Sequence, residues 1–124
     1  MSDMRILIVD DSRAMRMMVK RVIGQVGLRG DVVMEEAANG REALEAITAN
    51  PPDLVLSDWN MPEMTGIELL RALNDAGIRV PFGFVTSEST AEMREQAILA
   101  GSRFLIAKPF NAETFAEALA TVVE

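Results

Sequence analysis

The 124-residue chain contains no cysteine and no histidine. Without cysteine, a disulfide framework, a thiolate metal site and a thiol nucleophile are all excluded. Without histidine, the chain lacks the commonest general base and the commonest metal ligand. Any chemistry that this chain performs must therefore use carboxylates, hydroxyl groups or lysine.

Positive charge and long apolar runs are also scarce. Twelve Lys and Arg residues stand against 19 Asp and Glu residues, a formal net charge of −7. This balance argues against nucleic acid as a partner, because phosphate backbones are bound by clustered basic residues. The apolar run 6–9 is too short for a signal-peptide core, and no run is long enough to span a bilayer. We expect a cytoplasmic protein that neither inserts into membranes nor binds nucleic acid.

Short apolar runs alternate along the chain with amphipathic segments. The predicted strands lie at residues 6–9, 32–36, 54–56, 82–85 and 104–107. The run at 6–9 is apolar without polar alternation, which is typical of a strand buried on both faces, whereas 32–36 is a weaker strand. Strict strand–helix alternation implies parallel pairing and right-handed crossovers. The prediction is one α/β domain over residues 1–124, a doubly wound five-stranded parallel sheet with five helices and no room for an output domain.

Capping residues predict where several helices begin and end. Ser12 is expected to cap the first helix and Gly27 to end it. The spacing Ser-Thr-Ala-Glu from Ser89 is that of a capping box for the fourth helix. Asn111 is expected to cap a last helix that continues to the chain terminus. Within the first helix, the spacing of Met18 predicts a core-facing side chain.

Polar side chains follow four of the five predicted strands. They are Asp10 and Asp11, then Asp58, then Thr86 and Ser87, and finally Lys108. The carboxyl ends of parallel strands share one edge of the sheet, where doubly wound proteins bind their ligands. Three carboxylates gathered there would raise one another's pKa, a conflict that a bound divalent cation removes. Because the available donors are oxygens, the predicted ion is Mg²⁺, with Mn²⁺ as a substitute.

A carboxylate beside such an ion can attack phosphorus and form an acyl phosphate. The Lys108 ammonium can balance the charge of the phosphoryl group, and the Thr86 hydroxyl can donate to one of its oxygens. No base is placed to activate water, so we expect slow turnover. Slow turnover is more typical of a switch than of a metabolic enzyme.

Five motifs at these strand ends together resemble the receiver domains of bacterial two-component response regulators, especially their chemotaxis members. The motifs are 9–12 (Val-Asp-Asp-Ser), 57–62 (Ser-Asp-Trp-Asn-Met-Pro), Gly66, 85–87 (Val-Thr-Ser) and 108–110 (Lys-Pro-Phe). The resemblance covers essentially the whole chain. It implies a flavodoxin-like sheet with strand order 2-1-3-4-5.

The resemblance also implies a role for each site residue. The phosphoacceptor would be Asp58. The Mg²⁺ ligands would be Asp10, Asp11, Asp58 and the backbone carbonyl of Asn60. Thr86 would be the switch hydroxyl and Lys108 the phosphoryl-binding lysine, with a cis bond to Pro109. Asn60 and Glu88 would tune the lifetime of the acyl phosphate.

One position departs from the family pattern. Family members usually carry Tyr or Phe three residues before the lysine, where this chain has Leu105. The neighbouring Phe104 would point to the opposite face of its strand, so we predict that it is a packing residue. The aromatic half of the family's switch is therefore missing, and its replacement is not evident from the sequence.

The resemblance implies a signalling protein rather than an enzyme, catalysing only its own phosphorylation and slow autodephosphorylation. The expected partners are a sensor histidine kinase and a protein target that is bound after phosphorylation, in chemotaxis or motility. We expect a monomer when the protein is unphosphorylated. A phosphorelay intermediate or phosphate sink would carry the same site. A phosphatase acting through an aspartyl phosphate would need a second acid beside Asp58, and a flavin-binding module would need a Ser/Thr/Gly-rich loop after the first strand.

Overall fold

The computed structural model describes residues 4–28 and 30–122. The strands are β1 (Met4–Val9), β2 (Val32–Ala37), β3 (Leu54–Ser57), β4 (Phe82–Thr86) and β5 (Phe104–Ala107). The helices are α1 (Arg13–Val26), α2 (Gly40–Ala49), α3 (Gly66–Asp75), α4 (Ala91–Ala100) and α5 (Ala112–Ala120). The two ends of the predicted domain, residues 1–3 and 123–124, lie outside the described residues.

All four strand pairings in the sheet are parallel, and the strand order is β2-β1-β3-β4-β5. The predicted doubly wound fold and strand order are therefore confirmed. Val9 lies opposite Ser57, and Thr86 lies opposite Ala107. This register aligns the carboxyl ends of neighbouring strands at one edge of the sheet.

Alternate residues of the strands contribute side chains to two apolar layers, one on each face of the sheet. One layer packs Leu7, Val55 and Phe84 against α2, α3 and α4. The other packs Ile8 and Ile106 against α1 and α5. Because β1 and β3 to β5 are covered on both faces, their apolar runs carry almost no polar residue until the strand ends.

The helix ends follow local hydrogen bonding. The Ser12 and Asn111 side chains cap α1 and α5 as predicted, and α1 ends at Gly27 with a φ of 75°. The cap of α4 is Thr90 rather than the predicted Ser89, because the Thr90 hydroxyl accepts from the N–H of Met93. Helix α5 ends at Ala120, short of the terminus to which we predicted it would run. The reciprocal capping box lies instead at α3.

That capping box joins Thr65 and Glu68. The Thr65 hydroxyl accepts from the N–H of Glu68, and the Glu68 carboxylate accepts from the N–H of Thr65. The prediction for Met18 was wrong, since its side chain is 51% exposed beside the exposed Met17. None of the described helices is both long and apolar enough to cross a membrane.

A glycine sets how closely α3 approaches β3 and β4. A Cβ atom at Gly66 would lie 2.2 Å from the carbonyl oxygen of Asp58 and 2.9 Å from the Phe84 ring. The N–H of Gly66 donates to the carbonyl of Trp59 at 2.7 Å. Glycine here is thus required by close backbone contact, and the contact fixes the segment that follows β3.

We predict that Gly66→Ala destabilises the protein by about 1–3 kcal/mol, because the added methyl group must displace backbone atoms. The matched control is Gly24→Ala inside α1, where a Cβ would meet nothing within 4 Å. That change should stabilise the protein by about 0.5–1 kcal/mol, since it removes a helix-interior glycine. Urea unfolding midpoints at a common slope measure both effects. Equal effects of the two substitutions would contradict the close contact at Gly66.

Candidate functional site

Three of the site residues are held by backbone hydrogen bonds that extend the sheet one step beyond its strands. The N–H of Asp10 donates to Ala37 at 3.1 Å, and the N–H of Asp58 donates to Val9 at 2.9 Å. The N–H of Lys108 donates to the carbonyl of Thr86 at 2.9 Å. The main chain therefore positions these residues before their side chains make any contact.

The three carboxylates predicted to converge do so. One oxygen from each of Asp10, Asp11 and Asp58 lies within 4.8 Å of the others. Asp10 is buried at 4% exposure, Asp58 is partly buried, and Asp11 is exposed. Lys108 supplies the ammonium of the group, with Nζ 3.1 Å from Asp10 Oδ2 and 3.5 Å from Asp58 Oδ2.

Both carboxylate oxygens and the backbone carbonyl of Asp10 are held by hydrogen bonds. Its Oδ1 accepts from the N–H of Ser12 at 2.8 Å, while its Oδ2 faces Lys108. Its backbone carbonyl accepts from Arg16 Nη1 at 2.6 Å, and the same guanidinium pairs with Glu36 on β2. These contacts leave Asp10 little freedom to turn away from the cluster.

Asp58 is held less tightly and carries an unfavourable charge. Its Oδ1 accepts from the N–H of Trp59 at 2.7 Å. Burial raises the pKa of the Asp58 carboxyl above its ordinary value, and the neighbouring Asp10 carboxylate raises it further. Lys108 and the Trp59 N–H pull the pKa down but do not cancel the rise. The Lys108 ammonium thus offsets only part of the cost of burying the Asp58 charge.

The donor chemistry of this cluster fits a hard divalent cation. The ligands available are carboxylate oxygens, which Mg²⁺ and Mn²⁺ prefer, and the described cluster contains no thiolate or imidazole. Such a cation would offset the burial that raises the pKa of Asp58, together with the repulsion from the Asp10 carboxylate. Asp10, Asp11 and Asp58 would hold it.

The polar residues beyond β4 form a second group at the same edge. Thr86 is fully buried, and its Oγ1 accepts from the N–H of Glu88 at 3.3 Å. The Glu88 carboxylate in turn accepts from Asn60 Nδ2 at 2.7 Å. Ser87, the other hydroxyl candidate, is exposed. The loops after β3 and β4 are therefore joined by the Asn60–Glu88 hydrogen bond.

Leu105 and Phe104 of β5 lie on opposite faces of the sheet. Leu105 is half-buried against the layer that contains α4, whereas Phe104 packs in the opposite layer, over Gly83. Phe104 is thus a packing residue and lies on the wrong face to replace an aromatic at 105. The Lys108–Pro109 peptide bond is cis.

Sequence reasoning missed the groups that orient the carboxylates. They are the backbone N–H groups of Ser12 and Trp59 and the Arg16 guanidinium. Backbone donors leave no sign in a side-chain pattern. Arg16 did carry a signal, since it follows Asp10 by six residues on a helix that begins at the same strand end.

Comparison with known proteins places the chain among signalling domains. Residues 6–120 match the family described as response regulator receiver domain. The chemotaxis protein CheY of Bacillus subtilis is 38% identical over 115 residues, which are 93% of each protein. The chemotaxis protein CheY of Pseudomonas aeruginosa is 36% identical over 123 residues, covering 98% of this chain and 97% of that protein.

Solved structures agree in fold. The chemotaxis protein CheY4 of Vibrio cholerae superposes with a TM-score of 0.84 at 33% identity, covering 98% of this chain and 99% of that one. The receiver domain of the putative response regulator NarL of Mycobacterium tuberculosis gives a TM-score of 0.84 at 26% identity, over 97% and 95% of the two chains.

We predict that Asp58→Asn stabilises the metal-free protein at neutral pH and raises its Tm. The raised pKa of Asp58 means that ionisation costs more in the folded state than in the unfolded one. This destabilisation develops as pH rises from the ordinary value of 3.8 through the folded-state pKa, and it vanishes below 3.8. Thermal unfolding of both proteins, followed by the fluorescence of the single tryptophan, Trp59, measures the difference.

Millimolar Mg²⁺ should raise the Tm of the unmodified protein more than that of the Asp58→Asn variant. Asp75→Asn is the control, because Asp75 is exposed at the end of α3, outside the cluster. A stability difference for Asp58→Asn that stays constant from pH 3 to pH 8 would contradict the electrostatic origin.

Proposed function

Because this chain belongs to the response regulator receiver family, with CheY proteins of chemotaxis among its relatives, we propose that it is a phosphorylation-dependent messenger. In this proposal Asp58 accepts a phosphoryl group from a sensor histidine kinase, and the phosphorylated protein binds a protein target in chemotaxis or motility. The observation that carries the proposal is the placement of Asp58 between an acidic pair and the Lys108 ammonium.

The transfer step exchanges one bond to phosphorus for another. An Asp58 carboxylate oxygen attacks the phosphorus of the kinase's phosphohistidine, forming a P–O bond while the P–N bond breaks. The imidazole, already protonated on its other ring nitrogen, leaves as neutral histidine. The product on this chain is an acyl phosphate. Beyond this step and slow loss of the phosphoryl group, we assign no catalytic activity.

The chain's own groups stabilise the phosphoryl group. Lys108, already within 3.5 Å of Asp58 Oδ2, donates from Nζ to a phosphoryl oxygen. The Thr86 hydroxyl uses its proton for another of these oxygens, because its present contact with the N–H of Glu88 needs only its lone pair. A divalent cation held by the acidic cluster and the backbone carbonyl of Asn60 would supply further positive charge beside the phosphoryl oxygens.

We expect slow hydrolysis of the acyl phosphate, because the carboxylate of the adjoining loop is engaged in a hydrogen bond. Glu88 is the carboxylate of the adjoining loop, and it accepts from Asn60 rather than standing free as a base. Both residues flank the phosphoryl site, so they are placed to set how readily water enters. The long-lived acyl phosphate that results suits a diffusible signal.

A phosphorelay intermediate or phosphate sink is the alternative that one observation favours. Leu105 lies half-buried against the α4 layer and offers neither a ring nor a hydroxyl to a target. A relay would return the phosphoryl group to a second histidine, whereas a messenger would gain affinity for a target. A back-transfer assay with a histidine phosphotransfer domain distinguishes the two.

We predict that Asp58→Asn takes up no label from a phosphorylated kinase, since the amide cannot act as the nucleophile. Asp75→Asn should be labelled as fully as the unmodified protein, because Asp75 is exposed and lies outside the cluster. A chelator should slow labelling at least about tenfold, the effect of removing one strong electrostatic contribution to the transition state. Radiolabel transfer followed on gels measures all three. Full labelling of Asp58→Asn, or labelling indifferent to chelator, would refute the assignment.

We also predict that the switch depends on Thr86 more than on Leu105. Thr86→Ala should weaken target binding by the phosphorylated form about tenfold or more, the cost of losing a hydrogen bond to a charged group. Thr86→Ser is the matched control and should retain binding, since it keeps the hydroxyl. Leu105→Ala should change affinity less than about fivefold, because only apolar contact is lost. Calorimetry with and without phosphorylation measures each affinity, and the reverse order of effects would exclude this mechanism.

A further inference from the structure

A groove lies between the ends of α3 and α4, at the edge of the sheet opposite Asp58. Its walls come from the C-terminal turns of these helices and the segments that lead into β4 and β5. Apolar lining residues include Leu70, Leu73, Ile78 and Leu99. The groove has a volume of about 480 Å³, a size typical of binding sites.

The charge of the groove is opposite to that of the protein. Arg79 and Arg103 line it, and no carboxylate does so among the described residues. Both arginines are exposed, and neither guanidinium forms an ion pair within residues 4–28 and 30–122. Two full positive charges outweigh the partial negative charges of two helix C-termini. In a chain of net charge −7, this concentration of free positive charge marks a surface suited to an acidic ligand.

The apolar surface of the groove continues outward on α4. Leu99 is 80% exposed and Ile98 is 72% exposed, the two largest exposures among the large apolar side chains described. A second cavity of about 280 Å³ lies next to the groove and shares Leu99 with it. Arg71 and Asp75 line this second cavity, so its one basic residue has an acidic neighbour. The two cavities thus flank Leu99, and the excess positive charge lies in the groove, at Arg79 and Arg103.

We propose that this surface, from the groove across Leu99 to the second cavity, docks an acidic amphipathic peptide segment of a partner protein. Two cavities beside a ridge suit two apolar anchors of one segment, as in helix-in-groove recognition. The arginines would pair with carboxylates on the segment's flank. A small anion would leave Ile98 and Leu99 in water, so the exposed apolar area favours a peptide. All these residues lie away from the Asp58 edge, and the proposal does not depend on the proposed function.

Hydrogen bonds hold the walls of the groove together in the unphosphorylated protein. Asn74 Nδ2 donates to the carbonyl of Ala100 at 2.8 Å and joins the end of α3 to the end of α4. The Ser102 hydroxyl donates to the carbonyl of Phe104 at 2.9 Å, with the carbonyl of Phe82 3.3 Å away, and anchors the segment after α4. A preorganised groove costs little to fill, so binding should need neither phosphorylation nor metal.

The test is selection of random 16-residue peptides displayed on phage against the unphosphorylated, metal-free protein. We expect enriched peptides to carry two apolar residues at helical spacing together with Asp or Glu. Synthetic copies should bind the unmodified protein at least tenfold more tightly than the Arg79→Glu/Arg103→Glu variant. Leu99→Ser should weaken binding to a similar degree, and because Leu99 is 80% exposed this substitution leaves the folded core unchanged.

Two remote variants serve as matched controls. Arg13→Glu/Arg21→Glu makes the same change of net charge on exposed positions of α1, and Met17→Ser removes an exposed apolar side chain there. Both should bind the peptides normally, and all four variants should keep the labelling of Asp58. Failure of labelling alone would reject the proposed function but leave this docking site intact.

Several outcomes would overturn the docking proposal. They are no enrichment, enrichment of neutral or basic peptides, or equal loss in the α1 controls. Concentration-dependent self-association that is abolished by Leu99→Ser would instead identify a second copy of this chain as the occupant. Sedimentation velocity of the unmodified protein and of Leu99→Ser distinguishes that case.

Discussion

The structure depends on holding three carboxylates together against their mutual repulsion. Side-chain contacts alone would not achieve this, because the cluster has one ammonium, that of Lys108, for three acids. The main chain does so instead, through sheet hydrogen bonds at Asp10 and Asp58 that continue beyond the strands. The free energy of the packed sheet therefore supports a site that would not assemble in an isolated peptide. Three carboxylates with one ammonium leave the cluster net negative, a charge that suits it to hold a cation.

The same backbone arrangement connects the site to the rest of the sheet. Lys108 is bonded through its N–H to the carbonyl of Thr86, so the two groups that we propose contact the phosphoryl oxygens also join β4 to β5. A phosphoryl group shifts an equilibrium only through contacts that differ between two states. Here those contacts act on neighbouring strands at once. Leu105, which pairs with Phe84 across the same strands, can respond by repacking without an aromatic ring.

Much of the fold was predictable because its signals are local and repeated. Four of the five strands are followed by polar site residues in the sequence, and parallel strands bring those ends to one edge. The predictions that were wrong also have physical explanations. Met18 sits on the apolar stripe of α1 but is 51% exposed, since the helix buries Val19 and Ile23 more deeply. Thr90 displaced Ser89 as a cap because adjacent hydroxyls compete for one helix end. The groove at α3 and α4 could not be predicted, because its walls come from four separate segments.

Helix α4 is the element through which the two ends of the sheet can influence each other. It begins three residues after Glu88, beside the site, and it ends at Ala100, in the wall of the groove. Ala97 is its one fully buried residue in the described structure, so α4 is held by less apolar contact than α3, which buries five residues. A weakly held element shifts at low cost in free energy. If phosphorylation moves α4, the affinity of the groove for its occupant changes. By linkage, binding of that occupant then changes the equilibrium constant for phosphorylation by the same factor.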